Sequence, residues 1–206
     1  MPATNTSVRI GQSEFDCRCH ACAFFQSRDE EYEILLPFAK DGYQEGQRLF
    51  QIVDEDHRDE RLRRLSGLGF NLEHAKKTGQ LEVRSWEEAY LRGDRFDQFE
   101  MMNLVQAVLR DSSNNGFSMT RVWANMEWAL KELPGVDDIV EYESRVNKFL
   151  PQYDAFVVCT YDLTKFSAPL VVDIMRTHPQ VIIGGALHEN PFYVPPDELL
   201  AELSRR

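Results

Sequence analysis

Short apolar runs alternate with amphipathic helical patterns along most of this chain, and this alternation constrains the fold more than any other feature of the sequence. In the first unit, a strand-like run at 21–25 precedes a helical pattern that ends near Gly42, and a second apolar run follows at 48–53. Ser27 and Glu30 have the spacing of a capping box at the start of that helix. Strand, helix and strand in this order predict a βαβ unit with a right-handed crossover.

The same alternation continues to the end of the chain, with helical patterns between the strands. A second capping-box spacing occurs at 85–88, before the pattern of a long helix. Alternating β and α elements with nearly continuous apolar strands predict an α/β fold, namely a three-layer α/β/α sandwich with a mainly parallel sheet. The later strands are predicted at 81–84, 117–123, 155–161, 181–184 and, at an edge, 192–194.

Length and charge narrow the class of protein. The 206 residues fit a single domain, which we expect to span residues 15–206 after a disordered tail at 1–14. Asp and Glu number 34 and Lys and Arg 23, and the net charge of −11 argues against direct binding to nucleic acid or to anionic membranes. No apolar run approaches the roughly 18 residues that cross a bilayer. Residues 1–12 lack the pattern of a secretory signal, so we expect a cytoplasmic protein.

The loop after the first strand tests for nucleotide chemistry. A phosphate-binding loop needs glycines and a lysine, because backbone N–H groups wrap the phosphates and the lysine neutralises them. Residues 26–31 are QSRDEE, so three carboxylates stand where phosphates would bind. We therefore predict a protein that is not an enzyme and has no cofactor. Residual nucleotide binding stays as an alternative function.

Polar and aromatic side chains near the predicted strand ends form the candidate ligand site, because parallel sheets bind ligands at the carboxyl ends of their strands. Arg121 lies within a strand and Glu127 just beyond it, so the two form either a structural ion pair or a polar anchor for a ligand. Aromatic walls with few polar groups suit a small, partly apolar ligand. The predicted ligand-binding residues are His20, Phe25, Ser27, Tyr90, Arg121, Glu127, Trp128, Tyr161 and Asp162.

Three of the four cysteines lie within six residues. This segment offers four zinc-type ligands: Cys17, Cys19, His20 and Cys22. One six-residue run is poorly suited to wrap a tetrahedron, since structural zinc sites pair their ligands on separate knuckles. A metal site and a thiol redox sensor stay as alternatives to a buried structural role. Cys159 approaches Cys22 only if their strands are neighbours. His178-Pro179, near the last strand, is typical of a turn rather than of a catalytic group.

The order of short motifs along the chain resembles one family. The chain is similar to the MEDS family, the methanogen/methylotroph sensory domain that is also called DcmR-like, from about Cys19 to Leu200. The ordered series of motifs carries the resemblance, not any one of them. The segments are HACAFF at 20–25, LPF at 36–38 with Gly42 and EG at 45–46, Tyr90 with Gly93, Arg121 with MEW at 126–128, EYE at 141–143, CTYD at 159–162, HP at 178–179 and NPFY at 190–193.

The resemblance implies a fold and a role. The family senses small molecules, is often attached to kinase or DNA-binding output modules, and is similar to RecA-like ATPases whose phosphate loop is lost. Because this chain shows no output module, we expect it to bind an unidentified small-molecule ligand and to signal through a partner protein such as a kinase or a transcription regulator. A homodimer is also compatible, since two-fold dimers are the commonest oligomers. Cys17 and Cys19 do not belong to the family pattern.

Overall fold

One central sheet organises the protein. The computed structural model describes residues 8–11, 13–15 and 19–205. The strands are β1 (Val8–Ile10), β2 (Ser13–Phe15), β3 (Cys19–Phe25), β4 (Arg48–Val53), β5 (Leu81–Ser85), β6 (Thr120–Asn125), β7 (Ala155–Asp162), β8 (Gln180–Ile183) and β9 (Ala186–Glu189). Seven of them form the sheet in the order β5-β4-β6-β7-β3-β8-β9. All pairings in it are parallel except that of β8 with β9, which confirms the mainly parallel sheet.

Helices cover both faces of the sheet. The helices are α1 (Arg28–Gln44), α2 (Glu55–Gly67), α3 (Leu72–Lys77), α4 (Gln98–Asn114), α5 (Ile139–Phe149), α6 (Ala168–Thr177) and α7 (Pro196–Leu203). The first three pack their apolar residues into one core, and α4, α5 and α6 pack into a second core on the other face. The three-layer α/β/α sandwich is therefore confirmed. Within the described residues, none of the helices is both long and apolar enough to cross a membrane.

The start of α1 forms as the capping-box spacing predicts. The Ser27 hydroxyl accepts the Glu30 N–H at 3.2 Å, and the Glu30 carboxylate accepts the backbone N–H of Gln26 at 2.7 Å. The helix does not end at Gly42 but continues to Gln44. Gly42 has another role, because a Cβ there would lie 2.6 Å from Cδ of Arg121. The glycine thus makes room for a buried arginine rather than for a helix end.

The predicted edge strand is wrong, and the second capping box forms without a helix directly after it. The last strand is not at 192–194 but at β9, which pairs with β8 through Gly184 and Gly185, both at positive φ. Two glycines make this tight hairpin inexpensive, because glycine adopts positive φ without steric cost. The capping-box contacts at 85–88 do form, but turns follow them, and α4 begins only at Gln98.

The predicted disordered tail at 1–14 needs correction where the structure describes it. β1 and β2 pair as an antiparallel hairpin around Gly11, whose φ is +59°. Val8 and Ile10 are buried while Arg9 is exposed, and they join the core that contains α1. Because side chains alternate between the two faces of a strand, Val8 and Ile10 pack into the core while Arg9 faces outward. The rest of the predicted tail, 1–7 and Gln12, lies outside the described residues.

Candidate functional site

A cluster of four buried polar side chains lies under the face of the sheet that α4, α5 and α6 cover. Nε2 of His20 is 3.2 Å from Oε2 of Glu143, and Nε2 of His178 is 3.4 Å from the same oxygen. Sγ of Cys159 is 3.6 Å from Nε2 of His20 and 3.8 Å from Oε2 of Glu143. All four residues are buried, and the four ligand-type atoms lie within 4.8 Å of one another. We call this set the His/Glu/Cys cluster.

Strand pairing brings two members of the cluster together. β3 and β7 are parallel neighbours in which Cys22 stands opposite Cys159. Their strands are thus adjacent, which was the condition for these two cysteines to approach each other. Side chains two residues apart on a strand share a face, so His20 and Cys22 point to the same side of β3. His20 and Cys159 therefore meet across adjacent strands.

The other two members lie on helix α5 and directly after helix α6. Glu143 lies on α5, on a turn that also carries the buried Tyr142 and Val146. His178 follows the last residue of α6, directly before β8. Because β8 pairs with β3, the end of α6 is held beside His20, and the two imidazole rings lie 4.1 Å apart.

Hydrogen bonds show which ring nitrogen of each imidazole is the donor. The side-chain N–H groups of Asn147 donate to the backbone carbonyls of Glu143 and Thr177, so its oxygen faces Nδ1 of His20 at 3.0 Å. That oxygen only accepts, and therefore Nδ1 of His20 donates. Its Nε2 is then the ring nitrogen that faces Glu143.

His178 has the same tautomer. The Thr177 hydroxyl donates to the Ile174 carbonyl at 2.7 Å, so Nδ1 of His178, which lies 2.7 Å from that hydroxyl and 3.0 Å from that carbonyl, is a donor. Its Nε2 is buried and receives no hydrogen bond from any described residue. The Nε2 atoms of two imidazoles therefore converge on one carboxylate oxygen.

Glu143 is an ionised carboxylate in the core. Its other oxygen accepts the Tyr161 hydroxyl at 2.9 Å. Its ion-pair partners in the described part of the chain are His20 and His178, with no lysine or arginine among them. A buried carboxylate without a cationic side chain is costly and marks a candidate functional position.

The pKa values in the cluster follow from burial and from Glu143. Burial, with His178 beside it, lowers the pKa of His20. Burial raises the pKa of Glu143, but its contacts with His178 and His20 outweigh burial and hold that pKa below its usual range. Burial and the charge of Glu143 raise the pKa of the Cys22 and Cys159 thiols well above the usual value. Protonated thiols are poor nucleophiles, which argues against a reactive redox thiol here.

The ligand set predicted from the cysteine-rich segment does not assemble. Cys19 and His20 are consecutive on β3 and therefore point to opposite faces of the sheet. Cys19 packs in the core with α1, where its thiol donates to Oε1 of Gln180 at 2.9 Å. Cys17 lies outside the described residues. His20 is the one member of that predicted set that belongs to the His/Glu/Cys cluster.

A small cavity adjoins the cluster. It has a volume of about 20 Å³, and its polar end is formed by His20, Glu143 and Cys159. The remaining walls are mostly apolar and come from Ile52, Tyr90, Met101, Val105, Val122, Ala124, Tyr142, Val146 and Val157. Tyr90 is thus a predicted site residue that does line a cavity. Trp128 stacks on the far side of its ring, at 4.6 Å between centroids, and belongs to the supporting layer.

His20 also borders an open groove on the surface. The groove has a volume of about 320 Å³ and is lined by His20, Asn147, Leu150, Pro151 and Pro179. The His20 side chain therefore stands between the buried cavity and the groove.

Two carboxylates predicted at the carboxyl edge of the sheet, Glu127 and Asp162, pair with basic side chains there. Glu127 accepts from Lys165 at 2.6 Å and lies 3.7 Å from Arg28. Asp162 accepts the backbone N–H of Thr164 at 2.9 Å and lies 3.5 Å from Lys165. This edge is cross-linked by ion pairs.

Two further predicted residues have local structural contacts. Ser27 caps α1, as described above. Phe25 is buried in the core with α1, on the face of the sheet opposite the His/Glu/Cys cluster. Neither residue contributes to that cluster.

The expected pairing of Arg121 with Glu127 is wrong. Arg121 is the second residue of β6 and therefore lies near the amino end of the sheet. Its guanidinium donates to Oε1 of Gln47 at 2.6 Å, to the Phe38 carbonyl at 2.8 Å and to Glu45 at 3.2 Å. The sequence predicted correctly that a buried arginine needs partners, but they come from α1 and the loop after it.

A second buried network lies on the opposite face, behind the first loop. Oε1 of Glu31 accepts the Trp123 indole N–H at 2.7 Å and the Thr160 hydroxyl at 3.2 Å. Arg61 pairs with Glu31 at 3.3 Å, and its guanidinium lies 3.4 Å from the centre of the Trp123 ring. One of the three carboxylates of the first loop is thus part of the internal structure.

Sequence reasoning missed Glu143, Asn147 and His178 as site residues. A signal was present for two of them, since EYE at 141–143 and HP at 178–179 are among the family-like motifs. Glu143 also falls within the apolar stripe of α5, where a carboxylate is unusual. Nothing local marks Asn147.

The fold and the candidate site define the class: a RecA-like α/β domain that holds a buried His/Glu/Cys cluster under one face of its sheet. Residues 19–179 match the model of a family described as the methanogen/methylotroph, DcmR sensory domain. The chain therefore belongs to the MEDS family, which confirms the resemblance seen in the sequence. This membership associates the chain with sensory and regulatory proteins.

Two relatives extend the comparison. The transcriptional repressor DcmR of Methylorubrum extorquens is 22% identical over 160 residues, which make up 77% of this chain and 57% of that protein. The chain thus spans less than two thirds of that relative. A KaiC-like protein from Pyrococcus horikoshii superposes with a TM-score of 0.58 at 14% identity, covering 80% of this chain and 69% of the other. That likeness concerns the fold alone and agrees with the RecA-like architecture.

Proposed function

We propose that this chain is a non-enzymatic sensory domain that binds a small, partly apolar molecule in the cavity beside His20 and Glu143. One observation carries the proposal: an apolar cavity ends on a buried polar cluster, and one side chain, His20, separates it from a surface groove. Apolar walls with a few convergent polar groups are the usual composition of a small-molecule site.

The volume of the cavity restricts the ligand. A cavity of about 20 Å³ holds about one water-sized molecule. A compound of one or two carbons needs some expansion of the walls. Met101 is suited to this, because an unbranched thioether side chain adapts to irregular spaces. The expected ligand is therefore a very small organic molecule with one polar group.

Helix α5 connects the cavity to the surface. It carries Tyr142, Glu143 and Val146 in the cavity wall, and Asn147 at the groove. A ligand shifts the output only through a different affinity for two states, and expansion of the wall gives α5 two positions. We expect a partner such as a kinase or a transcription regulator to recognise this difference in the cytoplasm. The name of the relative DcmR, a transcriptional repressor, supports such a regulatory partner.

A size series of ligands tests the proposal. The melting temperature is measured with methanol, ethanol, 1-propanol and 1-butanol at low millimolar concentration. We expect a saturable rise for the smallest members and none for the largest. In Val157→Ile an added methyl group fills the cavity and abolishes the rise, whereas Val172→Ile, at an exposed valine of α6, leaves it unchanged.

Two results would contradict the proposal. One is a flat melting temperature across the series in the wild-type protein. The other is an equal rise in wild type and Val157→Ile, since the binding site would then lie outside the cavity.

A further inference from the structure

The His/Glu/Cys cluster combines four side chains that transition metals bind. We infer that His20, Glu143, Cys159 and His178 form a binding site for a divalent transition-metal ion, and that zinc is the ion that suits it best. The cysteine-rich segment at 17–22 drew attention in the sequence, but this site takes three of its four ligands from elsewhere in the chain. The inference shares residues with the proposed ligand cavity but does not depend on any small-molecule ligand.

The distances fit tetrahedral coordination. With zinc bonds of about 2.0–2.3 Å to nitrogen, oxygen and sulfur, the edges of a tetrahedron measure about 3.3–3.7 Å. The two histidine nitrogens lie 3.2 and 3.4 Å from Oε2 of Glu143. Cys159 lies 3.6 Å from His20 and 3.8 Å from Glu143. All four ligand atoms lie within 4.8 Å of one another, so shifts of the side chains alone bring them around one ion.

The donor atoms already have the form that a metal needs. Both Nδ1 atoms are engaged as donors, so Nε2 of each ring is the nitrogen that faces the centre of the cluster and can bind a cation. Nε2 of His178 is buried and receives no hydrogen bond from the residues that the structure describes. With Oε2 of Glu143, three ligand-type atoms face each other, and a shared cation, either a proton or a metal ion, holds them together.

Charge balance also favours a divalent ion. Glu143 contributes one negative charge, and Cys159 contributes a second when its thiol proton leaves for solvent on metal binding. The two imidazoles are neutral ligands. A divalent cation with these four ligands is therefore neutral overall, which is the least costly state for a buried site.

Contacts around the ligands resemble the second layer of known metal sites. Metal-binding histidines usually donate their other N–H to a carbonyl or a carboxylate, which fixes the ring. His20 donates to the side chain of Asn147, and His178 donates to the carbonyl of Ile174. The Tyr161 hydroxyl holds the remaining oxygen of Glu143. Each ligand but the thiol is therefore oriented by a hydrogen bond.

The ligand types select among ions. Two imidazoles, one carboxylate and one thiolate suit zinc, copper or nickel, whereas magnesium and calcium prefer oxygen ligands alone. The four protein ligands complete a tetrahedron, as in structural zinc sites, and leave no open position for catalysis. The open groove beside His20 gives an entry path.

Metal analysis of the whole chain tests the inference without any small-molecule ligand. The reduced protein is stripped with a chelator, incubated with zinc, desalted and analysed by mass spectrometry of the elements. We expect one zinc per chain. Cys159→Ser and His178→Gln should lose at least ten-fold in zinc affinity, whereas Cys19→Ser and His57→Gln, which change a cysteine and a histidine outside the cluster, should keep one zinc per chain.

Cobalt gives an independent readout that needs no variant. Cobalt(II) in this site should show the intense visible bands of tetrahedral coordination together with a thiolate charge-transfer band. In Cys159→Ser that charge-transfer band should disappear, provided that circular dichroism shows a folded protein.

Three results would overturn the inference. The wild-type protein takes up no zinc, or cobalt shows no thiolate band in it, or zinc uptake is the same in Cys159→Ser and His178→Gln as in wild type. The last result would mean that the ion binds outside the cluster, for example at Cys17 and Cys19. If the protein binds one zinc but no alcohol raises its melting temperature, the proposed ligand is wrong and the metal site stands. If an alcohol raises the melting temperature but no zinc binds, the metal site is wrong and the proposed ligand stands.

Discussion

The side-chain oxygen of Asn147 lies 3.0 Å from Nδ1 of His20 and determines which nitrogen of that imidazole carries the proton. The amide N–H groups of Asn147 are engaged with the carbonyls of Glu143 and Thr177, so the amide orientation is fixed. One asparagine on α5 thereby ties the helix to the end of α6 and turns Nε2 of His20 toward Glu143.

Replacing Asn147 tests this connection. Asn147→Ala leaves two carbonyls and one imidazole N–H without their partner, and we expect a loss of about 1–3 kcal/mol in the free energy of unfolding. Urea denaturation measures it, with Asn103→Ala on the exposed side of α4 as the control. Nitrogen NMR of His20 should show the loss of a single tautomer. Equal stability of both variants would contradict the role of Asn147.

Tyr161→Phe removes one hydrogen bond to a buried carboxylate. The Tyr161 hydroxyl donates to Glu143 at 2.9 Å, and hydrogen bonds to charged groups contribute about 1.5–3 kcal/mol. We expect the free energy of unfolding to fall by about that amount. Tyr153→Phe, at a half-buried tyrosine outside the cluster, should cost much less. A similar cost at both positions would mean that this hydrogen bond does not hold Glu143.

Two glycines at positive φ separate backbone strain from a steric clash. Gly79 has a φ of +74°, and nothing lies within 4 Å of an added Cβ, so Gly79→Ala should cost roughly 1–2 kcal/mol for the left-handed conformation alone. Gly135 has a φ of +83°, but its added Cβ would lie 2.1 Å from the Phe96 carbonyl oxygen. Gly135→Ala should therefore be clearly the more destabilising of the two in urea denaturation. An equal loss in the free energy of unfolding for both variants would show that the loop around Phe96 moves away from the added Cβ without cost.

Nucleotide binding should be absent. The loop after β3 has no glycine and no lysine, and its Ser27 and Glu30 are engaged in capping α1. Glu31 is held by Trp123, so it is not free to turn away from an incoming phosphate. Calorimetric titration with MgATP should show no saturable heat. Binding at micromolar affinity would instead revive the nucleotide alternative.

Much of the fold was predictable, because strand and helix patterns are local. The run at 21–25 became strand β3 of the sheet, and the cap at Ser27 formed as its spacing indicated. Among the predicted site residues, His20 and Tyr161 do contact Glu143, and Tyr90 lines the cavity. The predictions failed where the decisive contact was long-range, as at Arg121, whose partners lie on and after α1.

By itself, the sequence determined the alternation of β and α elements, the parallel sheet and the absence of a phosphate loop, because side-chain periodicity and loop composition act over a few residues. Only the tertiary structure decided that β3 lies between β7 and β8. That order brings together side chains from positions 20, 143, 159 and 178. Strand order and helix rotation are set by burial of the whole core rather than by any local pattern. The sequence therefore shows the members of the cluster only as separate motifs and not their meeting, whereas Cys19 and His20, neighbours in the cysteine-rich segment, point to opposite faces of the sheet.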